Sequence, residues 1–259
     1  MSPAAAAENA RSRSPVPFAR IFATVFDVLR NTVRMTTDRS LATSEDMHTH
    51  LVDELNLALR RVGMYGELGM SMWFLINHLL VLERRPEVWE EQKDRWQRQR
   101  LWSSTATRGV FARYFPADHT YSEASVYAEF ARREGWLKPD RVLDGEAYSA
   151  LRDETGRWAE HDRSWADVTA AFGPPSILIG GTNPRYGKTL CYLTNDLTQP
   201  MVTFHLWNGT DPGLDDWPSH QQPLLLAVRC GDGDLADSLT FTPQGQSRRP
   251  KDEGGERCR

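Results

Sequence analysis

Residues suited to chemistry gather in two stretches, Gly180 to Thr189, reading GGTNPRYGKT, and Asn208 to His220, reading NGTDPGLDDWPSH. The first invites a phosphate-cradling reading. That pattern needs a glycine, four residues, then Gly-Lys-Ser/Thr, but counting back from Gly187 and Lys188 puts Thr182 where the first glycine belongs. A helix should follow so that its amides meet the phosphates, whereas LCYLT after Thr189 reads as strand. The stretch is therefore a hairpin loop. Asn183, Arg185 and Lys188 here, with Asp211, Asp215, Asp216 and His220 in the second stretch, are the groups an enzyme would use to hold an anion or move a proton. The sequence contains no GxSxG elbow, no HExxH and no catalytic-cysteine signature.

A different use of the same loops rests on Arg185, Tyr186, Trp207 and Trp217. Arginine with large aromatics is the composition enriched at protein interaction sites. A metal site is not expected: His48 and His50, two apart on a helix, point to nearly opposite sides. The three cysteines, Cys191, Cys230 and Cys258, lack metal-type spacing. No cofactor is expected, and an unpaired, strand-embedded Cys191 fits a reducing cytoplasm.

The loops must be held by strands. Ile177 to Ile179, Thr189 to Thr194, Met201 to Trp207, Leu224 to Cys230 and Leu239 to Thr242 are rich in β-branched, aromatic or aliphatic residues. Gly, Pro, Asn and Asp separate them, which predicts about five antiparallel strands. In the third, Val202, Phe204 and Leu206 fall on one face, expected to carry the core, and Thr203 and His205 on the other, read as the polar face.

Upstream the pattern is helical. Ser44 is suited to cap a helix reaching about Val62, with Met47, Leu51, Leu55 and Leu59 facing inward. Tyr65 to Leu82 is charge-poor and too interrupted for a membrane span, which needs about twenty apolar residues, so it predicts the buried central helix of a bundle. Pro86 opens a third helix with Trp89 and Trp96 on its inner edge. Shorter helices are expected at 122–134, 145–160 and 165–172.

Residues 1–17 read as a disordered tail. Residues 18–34 carry an amphipathic pattern through Phe18, Ile21, Phe22, Val25, Phe26, Leu29 and Val33. They are expected to dock on the body, with a membrane-surface anchor or a segment upstream of a start at Met35 or Met47 as alternatives. Residues 244–259 read as a second disordered tail. The chain of 259 residues has net charge −4 and 40% hydrophobic residues. This argues for a substantial core and against the basic footprint of nucleic-acid binding.

Two phrases, ALRRVGMYGE at Ala58–Glu67 and WADVTAAFGPPS at Trp165–Ser176, resemble elements of small bacterial toxin-immunity-type and uncharacterised, actinobacterial-like α+β proteins. Val62 stands where the first phrase has proline. The resemblance implies a cytoplasmic binder of a partner protein and transfers no site residue.

The expected architecture is α+β: a helical region at 18–160 packed on an antiparallel region at 161–243. The leading reading is a non-enzymatic interaction protein, with an immunity-type role as what the resemblance implies. The rivals are a small-molecule enzyme built on loops 180–188 and 208–220, and a peripheral membrane protein using helix 18–34.

Overall fold

The first helix, α1 (Ser44–Arg60), starts from a reciprocal cap. Thr43 accepts a bond from the Asp46 amide while the Asp46 carboxylate accepts from the Thr43 amide. Thr43, rather than Ser44, is thus the capping residue. The computed structural model describes residues 43–250 apart from 118, 212 and 232. The expectations for 1–17, 18–34 and 251–259 lie outside the described residues.

Leu51, Val52, Leu55, Ala58 and Leu59 form the buried stripe of α1 and pack on α2 (Leu68–Leu82). Helix α3 (Val88–Arg98) buries Trp89 and Trp96. These rings pack with Trp102, Tyr127 and Phe130 at centroid separations between 5.4 and 6.4 Å. A short α4 (Ala106–Phe111) follows, then α5 (Ala124–Arg133), which is buried along nearly its whole length. Asp144 caps α6 (Gly145–Ala159), and a Ser164–Asp167 capping box starts α7 (Trp165–Phe172).

The chain then runs as a meander of β1 (Ile177–Ile179), β2 (Lys188–Tyr192), β3 (Val202–Trp207), β4 (Leu224–Cys230) and β5 (Leu239–Phe241), all antiparallel in sequence order. A one-turn α8 (Leu235–Ser238) precedes β5, and α9 (Pro243–Ser247) follows it. The fold is α+β, as expected, with the sheet closing the chain.

Both faces of the sheet are covered. Leu190, Tyr192, Val202, Phe204, Leu206, Leu225 and Val228 share one apolar cluster with Tyr148 and Leu151 of α6 and Val168 of α7. Ile177, Ile179, Cys191, Met201 and Ala227 share the other with α1 to α5. The polar face expected at Thr203 and His205 is therefore no solvated face, since both residues are fully buried. Thr203 Oγ1 donates to the Arg229 carbonyl at 3.5 Å. Thr189 Oγ1 lies 3.2 Å from His205 Nδ1, and Arg229, on the neighbouring strand, donates to Glu129 of α5 at 3.1 Å. Arg132 of α5 donates to the carbonyls of Thr194, Asp196 and Gln199, tying the β2–β3 connection to the helical layer.

The reading of 244–259 as a floppy tail is corrected for its first seven residues. Thr242 caps α9, Pro243 sits in its first turn, and Gly245 is buried against β4. A Cβ at 245 would lie 1.8 Å from the Leu226 carbonyl oxygen, so docking depends on the missing side chain, a signal no hydrophobic pattern carries.

Helix α2 corrects a second expectation. Its inner face, Leu68, Met72, Ile76, Leu79 and Leu80, is buried, but Met70, Trp73 and Val81 are exposed. The polar residues among them bond back to their own helix: Asn77 donates to the Trp73 carbonyl, and His78 Nδ1 lies 2.7 Å from that of Phe74. Among the described residues, no helix is long and apolar enough to cross a membrane.

Candidate functional site

The β1–β2 loop (180–187) and the β3–β4 connection (208–223) emerge at the same end of the sheet because β2 and β3 are paired, with Lys188 opposite Leu206. Asn208, at the end of β3, clips the loops together. Its Nδ2 donates to the carbonyls of Arg185 and His220, both at 2.9 Å, and its Oδ1 accepts from the His220 amide. Each polar atom of this buried amide is used, so the side chain fixes two loops at once.

The clip brings Tyr186 and Trp217 into contact, ring centroids 5.3 Å apart with planes at 38°. They remain 38% and 55% exposed, so the pair stands on the surface rather than in the core. Arg185 beside them is exposed, as are Leu214, Asp215 and Asp216 in the second loop. The arrangement is an apolar centre with charged residues of both signs in the same loops.

Trp207 does not belong to that surface. Only 4% of it is exposed, with the His220 ring 6.1 Å away and the Arg248 guanidinium 5.3 Å above its ring. Arg248 donates to Asp211 at 2.9 Å, and His220 Nε2 lies 3.0 Å from the other Asp211 oxygen. Ser219 Oγ accepts from the Asp211 amide and donates to the Asp216 carbonyl. The second loop is thus braced from within and, through Arg248, against the turn after α9.

The alternative catalytic set meets in two pairs, Lys188 with Asn183 and Asp211 with His220. Lys188 is buried, donating to the carbonyls of Gly181 and Asn183 at 3.2 and 2.8 Å, with its ammonium 4.0 Å from the Trp165 ring centre. Burial pushes its pKa down to about 8. Asn183 accepts from the Arg185 amide and shapes the turn. His220 Nε2 lies 3.0 Å from Asp211 without a hydrogen bond among the described residues, and Asp215 stands exposed.

Sequence reasoning passed over a buried polar group between sheet and helices. His119 lies against Phe115, Tyr121 and His205 with neither ring nitrogen hydrogen-bonded among the described residues. Burial pushes its pKa down to about 3. Burial likewise pushes Glu123, which accepts from Thr107, up to about 7. A histidine flanked by aspartate and threonine carries no hint in sequence of such burial. Among the described residues, no group of three or more His, Cys, Asp or Glu is placed to hold a metal ion. His48 instead meets Glu83 at 2.8 Å.

No family model, curated protein or solved structure matches the chain.

Proposed function

We propose that this chain is a protein-interaction protein that engages its partner through the Tyr186–Trp217 tip. The observation that carries the reading is the exposed aromatic pair on two loops that Asn208 fixes to each other. A pre-formed patch of this kind loses little conformational entropy on binding. Large aromatics also contribute disproportionately to interface energy. An immunity-type role, in which the tip covers a partner protein in the cytoplasm, is the specific form of this reading.

The test is a paired measurement on Tyr186→Ala/Trp217→Ala. A partner isolated with the wild-type chain should bind the double variant more weakly, by about 1–4 kcal/mol, with the melting midpoint nearly unchanged. Undiminished affinity would move the contact surface elsewhere, and a collapse in stability would make the pair core rather than surface.

A further inference from the structure

The sheet has an open edge at β5, and its backbone is oriented for pairing. Thr242 N–H donates to Leu226 O, and the register sets Thr240 opposite Val228 and Phe241 opposite Ala227. In an antiparallel pair, successive residues alternate between facing the partner strand and facing away. Thr240 and Thr242 therefore bond towards β4, and Phe241 turns its N–H and C=O to the open side. Among the described residues, no turn, loop or side-chain hydrogen bond satisfies them.

Alongside this edge runs a groove of about 550 Å³, lined by Tyr114, Leu239, Phe241 and Arg249, with Glu160 among its other residues. The Arg249 guanidinium lies over the apolar wall, 4.8 Å from the Phe241 ring centre and 5.5 Å from that of Tyr114. Its hydrogen bond is a long one, 3.4 Å to the Gln246 side chain, and no carboxylate pairs with it among the described residues. Stacking leaves the in-plane N–H groups of an arginine free for a carboxylate.

We propose that the β5 edge binds an extended segment of a partner protein that adds a sixth strand and places an acidic side chain on Arg249. Main-chain bonds to Phe241 supply affinity, and the groove with Arg249 supplies selectivity, the division seen wherever a peptide augments a sheet edge. The cation favours an acidic segment over a neutral one, and the free backbone of Phe241 favours a peptide over a small carboxylate. This surface lies on the β5 edge, whereas the Tyr186–Trp217 tip lies on the β1–β2 and β3–β4 loops.

The test uses the full chain as target for displayed random heptapeptides, with Arg249→Glu as the counter-target. Selected peptides should share an acidic position and should bind Arg249→Glu at least about tenfold more weakly in fluorescence anisotropy. A lysine at that position should restore binding to Arg249→Glu. Methylating the peptide nitrogen that faces Phe241 should abolish binding, and the Phe241 amide should gain exchange protection in the complex. Arg249→Gln, with its melting midpoint measured alongside, serves should the charge reversal unfold the protein. Tyr186→Ala/Trp217→Ala should leave peptide affinity unchanged.

Selected peptides indifferent to both Arg249 variants, or to nitrogen methylation, would overturn the proposal. So would full competition by succinate, which would assign the groove to small anions. Binding that appears only after residues 251–259 are deleted would assign the edge to the chain's own end. Self-association abolished by Arg249→Glu would assign it to a second copy.

Discussion

His119→Phe provides a quantitative check on the buried polar layer. The imidazole is enclosed, 5.2 Å from the Phe115 ring, 6.2 Å from Tyr121 and 6.2 Å from His205. Burial holds its folded pKa at about 3, against an unfolded value of about 6.5. As pH falls below the unfolded value, the unfolded chain takes up a proton that the folded chain refuses. The associated stability is thus fully present above the unfolded pKa and is lost as pH falls towards the folded one. At pH 5 the loss is about 1.5 units at 1.36 kcal/mol each, or about 2 kcal/mol. Phenylalanine keeps an aromatic ring in the site and removes the titration. Urea denaturation of both proteins at pH 7 and pH 5 reads this effect, because His205, which burial also holds neutral in the fold, and the opposing contribution of Glu123 are common to both proteins and cancel. Whatever the variant's stability at pH 7, its loss on going to pH 5 should be about 2 kcal/mol smaller than that of the wild type. Equal losses would show that the His119 site opens to water or finds a partner for its ring, and the buried-layer argument would fail.

Other substitutions follow from the packing. Glu129→Ala should cost about 3–5 kcal/mol in denaturant titration because it strands the buried Arg229, whose Nε and Nη1 already lack partners, and Arg229→Met with Glu129→Gln should recover most of it. Gly245→Ala should destabilise by about 1–3 kcal/mol, since its Cβ meets the Leu226 carbonyl; a neutral result would show that α9 is not docked. Lys188→Ala should lower the melting midpoint through the loss of two hydrogen bonds and the Trp165 contact, about 1–3 kcal/mol. Trp73→Ser, on the outer face of α2, should leave the stability of the described fold within about 0.5 kcal/mol of wild type in denaturant titration.

What the sequence made legible, and what it did not, follows from the range of each force. Strands β1 to β5 were readable because runs of Ile, Leu, Val and Phe end at Gly, Pro and Asn, a local property. The burial of Thr203 and His205 was not, because period-two alternation reports polarity and cannot show that a second helical layer covers the polar face. Helix α9 escaped for a related reason: Pro243 to Ser247 offers no apolar side chain larger than proline, and its docking rests on Gln244, which donates to the Arg163 and Leu225 carbonyls, and on a glycine without Cβ. In the candidate site, Arg185, Tyr186 and Trp217 were identifiable as arginine and aromatics in turn-rich loops. Asn208 was not, since an asparagine after a strand reads as an ordinary turn residue until the loop it clips is known. The Lys188 ammonium, which looked available for chemistry, is consumed by carbonyls of its own hairpin.

The central claim is that the Tyr186–Trp217 tip is where a partner docks, and amide hydrogen exchange on the complex tests it most directly. Exchange compared between the free chain and the chain saturated with its isolated partner should show new protection in 182–187 and 213–220, with little change along α6, on the opposite side of the sheet from α1 to α5. Protection confined to segments away from these two loops, with the loops exchanging as in the free chain, would contradict the account.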